Sequence, residues 1–182
     1  GTLKMATNVK VDIMDFKKVL NLINYYSIDL VIVGPEEPLV NGIVDFLKKN
    51  KIKVFGPNKY ASKLEGSKAF MKNLCAQNNI PTARFKICNN KKHVINFINS
   101  CNLPIVVKAN GLAAGKGVTI CKTKKQVITI SSDIFKGKFK SSKKVVLEEF
   151  LTGEEVSYFI IVDNNNFKFF GSAQDHKRVF EK

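Results

Sequence analysis

The glycine-rich stretch VVKANGLAAGKGVTI, residues 106–120, decides the fold because of what stands on either side of it. It departs from the P-loop pattern G-x-x-x-x-G-K-[ST], since three residues instead of four separate Gly111 from Gly115, and Gly117 occupies the Ser/Thr position. The apolar runs before and after it predict strands, whereas P-loops and Rossmann motifs need a helix directly after the glycines. A glycine hairpin can still bind phosphate through backbone N–H groups; a plain β-turn is the alternative.

The segments before this loop alternate between helix and strand. Apolar spacing predicts a helix over 15–28, and the run 29–34 predicts a buried parallel strand. A single helix is predicted to have Pro38 in its first turn and to continue to residue 50. A strand is predicted to follow over 51–56. This β-α-β alternation predicts an α/β fold with a parallel, doubly wound sheet.

The pattern changes at residue 67. Ser67 is a candidate N-cap for a helix over 67–79, and Pro81 favours an extended segment over 80–88. Short periodic runs predict helices at 91–101 and 124–135, and strands at 104–109 and 117–123. Two strands are predicted around TGEE within 145–163, and DNNN predicts a tight turn into 167–175.

The composition indicates an anionic partner and a reducing compartment. Lys and Arg exceed Asp and Glu by 30 − 15, a net charge of +15, which suits nucleic acid, a membrane surface or phosphorylated small molecules. A lysine bias from A/T-rich codons is the alternative. The four cysteines contain no C-x-x-C pair, so reduced thiols in a cytoplasmic protein are expected. No apolar run reaches the roughly 18 residues of a membrane helix, and no membrane partner is predicted.

Three lysines around the loop are candidates for binding phosphate. Lys108 ends the apolar strand before the loop, where burial is costly without a nearby anion. Lys68 begins the helix at 67, and Lys116 lies within the loop. For any one of them a solvated surface charge is the alternative, most strongly for Lys116.

The segment VVLEEFLTGEE, residues 145–155, is a candidate adenosine site. Its strand ends in Glu148 and Glu149, and backbone groups near Leu151 are free to pair with an adenine edge. A carboxylate at Glu148 can accept from an exocyclic amine, and one at Glu155 from ribose hydroxyls. An acidic surface hairpin is the alternative.

Several segments together carry a resemblance to a known family. GPEEPLV (34–40), LEGSK (64–68), KANGLAAGKGV (108–118) and QDHKR (174–178) occur in the family's order and cover most of the chain. On these motifs the sequence resembles the ATP-grasp superfamily and, within it, the glycinamide ribonucleotide synthetase family. The resemblance implies an incomplete parallel-sheet N-terminal domain over 1–61. It implies the N-terminal part of an ATP-grasp domain over 62–182, with a small α+β lid at about 84–149.

The resemblance also implies roles for individual residues. Lys68 and Lys108 match lysines that hold ATP phosphates, and the flap carrying Gly111, Gly115, Lys116 and Gly117 folds over ATP. The hinge positions Glu148, Glu149, Leu151 and Glu155 match contacts to adenine and ribose. The stretch Asp175, His176, Lys177, Arg178 matches the edge of the ligation site.

The implied reaction joins glycine to 5-phosphoribosylamine at the expense of ATP, through a glycyl phosphate. Family proteins use Mg²⁺ or Mn²⁺, and the family's metal ligands fall beyond Lys182, so none is predicted within this chain. The start GTLKMATNVKV and the end at Lys182 suggest an internal fragment, inactive alone.

Two other functions remain as alternatives. One is a different ATP-grasp ligase, of the biotin-carboxylase or carboxyaminoimidazole type, against which GPEEPLV and QDHKR argue. The other is a basic nucleic-acid-binding module, which would present aromatic residues among basic ones on an exposed sheet. The phenylalanines are predicted at periodic core positions instead, and no nucleic-acid partner is expected.

Overall fold

The computed structural model describes residues 4–113, 115–139 and 143–176. The chain divides into two compact units, Gly1–Phe150 and Leu151–Lys182. The first unit contains an N-terminal α/β part and a four-stranded sheet with helices, and the second is a hairpin. None of the described helices combines the length and the apolarity needed to span a bilayer.

A small parallel sheet with three helices forms the N-terminal part. Its elements are α1 (Phe16–Tyr25), β1 (Val31–Ile32), α2 (Glu36–Asn41), α3 (Ile43–Lys49) and β2 (Val54–Phe55). Strands β1 and β2 pair in parallel, with Val31 opposite Val54, as the β-α-β pattern predicts. Asp15 caps α1 through a side-chain bond to the N–H of Lys18, which satisfies one of the free donors of the first turn.

The prediction that 29–34 is buried holds on one face of the sheet only. Val31 and Val54 pack against the core cluster of Ile23, Ile43, Val44 and Leu47. Ile32 points to the other side and is 70% exposed. Successive side chains of a strand alternate between faces, and the packed helices cover just one of them.

The prediction of one continuous helix to residue 50 is wrong, because Gly42 interrupts the helix. This glycine has φ +94°, which ends α2, and α3 starts at the next residue. An L side chain at this φ would be strained, so glycine permits the break. The side chain of Asp45, in the first turn of α3, then accepts a hydrogen bond from the N–H of Lys59.

A four-stranded antiparallel sheet backed by two helices follows. The elements are α4 (Lys63–Gly66), α5 (Lys68–Gln77), β3 (Phe85–Cys88), α6 (Lys91–Asn99), β4 (Ile105–Ala109), β5 (Val118–Cys121), α7 (Lys124–Phe135) and β6 (Val145–Glu149). The strand order is β3-β6-β4-β5. Ser67, Asn90 and Thr123 cap α5, α6 and α7, and Gln126 completes a capping box with Thr123.

The two faces of this sheet differ in character. On one face, Ile105, Val107 and Leu147 belong to a buried hydrophobic core shared with α6 and α7. The strand register places Lys108 and Glu148 on the opposite face, where they alternate with Val106 and Val146. That second face therefore combines charge with apolar surface.

The second unit is a hairpin of β7 (Val156–Asp163) and β8 (Asn166–Gln174). Asn164, with φ +50°, forms the predicted tight turn. The prediction that phenylalanines occupy the core is wrong here, since four of them are exposed: Phe159, Phe167, Phe169 and Phe170. An isolated hairpin has no second layer within its own unit that could bury alternate side chains. The exposure of these rings removes the argument from core position against a nucleic-acid-binding module.

Candidate nucleotide site

A cleft of about 920 Å³ lies within the first unit, between the N-terminal α/β part and the glycine loop. Helix α2 and the α4–α5 junction form one side, and the loop after β4 forms the other. Four of the predicted residues line it: Lys68, Gly111, Gly115 and Gly117. Acidic side chains also reach it, from Glu36 and Glu37 of α2 and from Glu65.

The glycine loop connects two antiparallel strands, as the sequence predicts. Lys108 of β4 lies opposite Val118 of β5, and the N–H of Ala109 donates to the carbonyl of Gly117 at 2.8 Å. Gly115 has φ +75°, in the region that favours glycine. A Cβ on Gly117 would lie 2.6 Å from the Cβ of Ala113, which is too close for two carbon atoms that are not bonded to each other. The glycines at both positions therefore follow from the backbone path.

Asn110 fastens the start of this loop to the N-terminus of α5. Its Oδ1 accepts hydrogen bonds from the N–H of Ala69 at 2.8 Å and from the hydroxyl of Ser67 at 3.2 Å. Its carbonyl accepts from the N–H of Lys68 at 3.1 Å. Two of these donors are backbone groups of the first helical turn, which have no partner within the helix. These hydrogen bonds thus join the glycine loop and the N-terminus of α5 into one assembly.

Lys68 lies where this assembly meets the cleft. Its Nζ donates to the carbonyl of Gly111 at 3.1 Å. Burial lowers the pKa of Lys68 below its ordinary value of 10.5; Lys108 also lowers the pKa, while the carboxylates of Glu65 and Glu148 act in the opposite direction. A lysine whose charge is disfavoured by its surroundings gains from an anionic ligand.

A buried charge cluster occupies the adjoining face of the sheet. Lys108 Nζ lies 3.0 Å from Glu148 Oε2, and Lys72 Nζ lies 2.9 Å from the same oxygen. The Lys72 and Glu148 side chains are 4% and 6% exposed, whereas that of Lys108 is 26% exposed. Glu148 Oε1 is buried and accepts no hydrogen bond from the described residues. One carboxylate thus contacts two ammonium groups, and its second oxygen has no hydrogen-bond donor among the residues that the structure describes.

Apolar side chains surround this cluster on the same face. The register aligns Val106 with Glu148 and Lys108 with Val146 across β4 and β6. On β5, the neighbouring Val118 and Ile120 are 46% and 52% exposed. Aliphatic surface beside a charged pair suits a flat heterocycle that carries phosphates.

The other predicted residues lie in different surroundings. Lys116 is exposed, and its N–H donates to the carbonyl of Ala113. Glu149 is on the opposite face of β6 from Glu148, and its carboxylate accepts from the N–H of Arg84 at 2.8 Å. Leu151, Glu155, Asp175 and His176 belong to the second unit, where the N–H of Asp175 donates to the carbonyl of Glu155. Lys177 and Arg178 lie outside the described residues.

Two residues of the site, Asn110 and Lys72, were missed from the sequence. Asn110 stands in the loop motif itself, but its partners Ser67 and Ala69 are 43 and 41 residues away, so no local pattern indicates them. Lys72 follows Lys68 by four positions, so both share one side of α5. That spacing was the available signal, although it could not show that Lys72 is buried. Within the described residues, no cluster of three or more His, Cys, Asp or Glu side chains could hold a metal ion.

The sequence matches two family models that together extend over the whole chain. Residues 66–182 match the phosphoribosylglycinamide synthetase ATP-grasp (A) domain, and residues 1–65 match the N domain of the same synthetase. The chain belongs to the phosphoribosylglycinamide synthetase family. The α/β fold with an ATP-grasp region, which the sequence motifs predict, is thereby confirmed.

Individual relatives of this family are similar over nearly all of the chain. It is 48% identical over 175 residues to the phosphoribosylamine–glycine ligase of Mesorhizobium japonicum, an alignment that covers 96% of this chain and 41% of the relative. It is 47% identical over 170 residues to the chloroplastic phosphoribosylamine–glycine ligase of Arabidopsis thaliana, covering 92% of this chain and 32% of the relative. The chain spans about two fifths or less of the length of these relatives.

Solved structures agree with this placement. The crystal structure of phosphoribosylamine–glycine ligase from Thermotoga maritima superposes with a TM-score of 0.78 at 30% identity, covering 98% of this chain and 42% of that one. The biotin carboxylase domain of a Hydrogenobacter thermophilus carboxylase gives a TM-score of 0.77 at 17% identity, covering 94% of this chain and 41% of that one. At that identity the second likeness shows a shared fold alone.

Proposed function

We propose that this chain forms part of a phosphoribosylamine–glycine ligase, in which it binds ATP and closes over the phosphates. The observation that carries the proposal is the joined assembly of Asn110, Lys68 and the glycine loop, with Lys108 beside it. The Lys68 ammonium and the three loop glycines line the cleft, and the Lys108 ammonium lies on the adjoining face of the sheet. Positive charge beside a glycine loop that permits close backbone approach suits a triphosphate.

In the proposed reaction, the glycine carboxylate attacks the γ-phosphoryl group of ATP, and ADP leaves. The amine of 5-phosphoribosylamine then attacks the resulting glycyl phosphate, giving glycinamide ribonucleotide and phosphate. Neither step needs a covalent bond to the protein. The protein contributes by positioning the substrates and by stabilising negative charge on the transferred group.

Lys68 and Lys108 are the residues proposed to hold phosphate oxygens. Each would exchange its present partner, the Gly111 carbonyl for Lys68 and Glu148 for Lys108, for a phosphate oxygen. The loop of Gly111, Gly115 and Gly117 would cover the phosphates and exclude water from the acyl phosphate. Glu148 Oε1, which accepts no hydrogen bond from the described part of the chain, is proposed to accept one from the exocyclic amine of adenine. Leu151 and Glu155 are proposed at the adenosine, and Asp175 to Arg178 at the ligation site.

Magnesium and a cytoplasmic location are included in the proposal. Mg²⁺, or Mn²⁺, would neutralise the phosphate charge, and it takes oxygen ligands, usually carboxylates and phosphate oxygens. The free cysteines Cys75, Cys88, Cys101 and Cys121 fit a reducing compartment. The domain division into 1–61 and 62–182, with a lid at about 84–149, also stays a proposal.

The proposal is tested on the complete encoded protein by following phosphate release from ATP. Glycine and freshly generated 5-phosphoribosylamine are supplied together and then singly. Release that requires both substrates, with glycinamide ribonucleotide detected by mass spectrometry, is the expected result. Omitting Mg²⁺ should abolish release. Phosphate release that ignores glycine, or product formed from bicarbonate in place of glycine, would instead indicate a different ATP-grasp ligase.

A further inference from the structure

Lys72 is a buried lysine that contacts no part of the cleft, although it touches a residue of the proposed site. It is 3% exposed and lies on α5, one turn after Lys68. Its Nζ contacts Glu148 Oε2 at 2.9 Å and donates to Thr82 Oγ1 at 2.7 Å. We propose that Lys72 is a positioning residue, which holds Glu148 in place and thereby allows Lys108 to leave it for the triphosphate. The inference rests on the proposed ATP-binding function.

The contacts of the two lysines show which one is held and which can move. Lys72 has a second hydrogen bond, to Thr82, and its ammonium lies 5.7 Å from the centre of the Phe85 ring. Lys108 has Glu148 as its hydrogen-bond partner and is 26% exposed. Moving Lys72 would break its contacts with Glu148, Thr82 and Phe85, whereas Lys108, among the described residues, would have to leave Glu148. When phosphates bind, Lys108 is therefore the lysine that exchanges its partner.

The charge balance explains why Glu148 needs two lysines. A buried carboxylate that loses its counterion is strongly destabilised. If Lys108 were its sole cation, each move of Lys108 toward a phosphate would leave Glu148 without a counterion. Because Lys72 remains at the same oxygen, the carboxylate stays compensated while Lys108 is away. Lys72 thus lowers the cost of phosphate binding without touching the ligand.

This role predicts a specific pattern in binding measurements. In Lys72→Met, Lys108 becomes the remaining partner of Glu148 and is held back from the phosphates. The Kd for ATP, measured by calorimetry on the complete encoded protein, should rise about tenfold or more, the size of one charge-assisted hydrogen bond. The KM for ATP should rise with it, while the KM for glycine stays the same. Lys72→Arg, which keeps the charge, should stay within about threefold of the parent protein.

A double-variant cycle separates this role from a purely structural one. Glu148→Gln removes the charge through which Lys72 acts, so adding Lys72→Met to Glu148→Gln should change ATP affinity less than about threefold. This pair also keeps the test informative if Lys72→Met alone does not fold, because the double variant contains neither the buried carboxylate nor the buried ammonium group. Lys86→Met, an exposed lysine of β3 outside the cleft, is the matched control and should leave ATP affinity unchanged.

The outcomes are distinct. Folded Lys72→Met with parental ATP affinity and a lowered melting temperature would show that Lys72 is structural and overturn the inference. A further tenfold loss on adding Lys72→Met to Glu148→Gln would overturn it as well. If the parent protein does not bind ATP, the proposed function fails, and that result is separate from either outcome.

Discussion

Lys108 and Glu148 are 40 residues apart in the chain, yet the Lys108 ammonium lies 3.0 Å from the Glu148 carboxylate. The pair is diagonal across β4 and β6, because Lys108 lies opposite Val146 and Glu148 lies opposite Val106. A lysine proposed for phosphate and a carboxylate proposed for adenine are therefore each other's partners in this structure. Their separation is a required step in nucleotide binding as proposed.

Replacing Lys108 by alanine should weaken ATP binding by roughly 1.5 to 3 kcal/mol, the value of a hydrogen bond to a charged group. The free energy of unfolding should fall by less than this, because the Lys72 ammonium still compensates the Glu148 carboxylate. Calorimetry gives the affinity, and urea denaturation gives the free energy of unfolding. An unchanged ATP affinity would remove Lys108 from the phosphate site.

In the free protein, burial disfavours the charged form of Lys68 and lowers its pKa. Bound ATP should raise that pKa, because phosphate oxygens favour the charged form. Between the lowered pKa of the free protein and 10.5, binding should therefore take up a proton, and affinity should fall as pH rises through that window. Calorimetry in two buffers of different ionisation enthalpy measures this uptake. Lys68→Met should abolish it, and the absence of uptake in the parent protein would contradict the assignment.

Gly117→Ala should impair the loop more than Gly115→Ala. A Cβ at 117 would overlap that of Ala113, whereas a Cβ at 115 meets nothing within 4 Å and suffers only from φ +75°. The expected cost of the strained φ at 115 is about 1 kcal/mol, and the overlap at 117 should displace the loop and weaken ATP binding further. Parallel thermal melts and ATP titrations of the two variants compare them directly. Equal effects would mean that the loop packs differently.

Asn110→Ala should loosen the loop from α5. It removes the acceptor of Ala69 N–H and Ser67 hydroxyl, while the backbone bond from Lys68 remains. A loss of about 1 to 3 kcal/mol in unfolding free energy is expected, because a part-buried N–H loses its partner. Asn78→Ala is a suitable control, since that side chain is exposed and bonds within its own helix. If both variants lose equally little, Asn110 does not fasten the loop.

Cys88 should resist alkylation in the folded protein. Burial raises the pKa of its thiol to about 11, and burial raises the pKa of Cys121 as well, so little thiolate exists at pH 8. Cys75 and Cys101 are partly exposed and should react first with iodoacetamide. Peptide mass spectrometry after timed labelling gives the order, and denatured protein, in which all four react, is the control. Early labelling of Cys88 would contradict its burial.

The sequence by itself determined those features that depend on neighbouring residues. Apolar β-branched runs on both sides of the glycines predicted a hairpin in place of a P-loop, and the register of Lys108 with Val118 confirms it. Ser67 was predicted as a cap and accepts from the N–H of Phe70. The family followed from several motifs in order. Such features depend on steric and hydrogen-bonding interactions between residues that are close in sequence, and not on how the helices and strands pack together.

The tertiary structure decided which charges meet. Lys72 looked like any surface lysine of a basic chain, and only the docking of α5 on the sheet buries it against Glu148. Glu148 and Glu149 are adjacent in sequence, but the pleat sends them to opposite faces, and only Glu148 meets the lysines. Burial depends on which elements pack together over long sequence separations, and the pattern along a single segment does not contain that information.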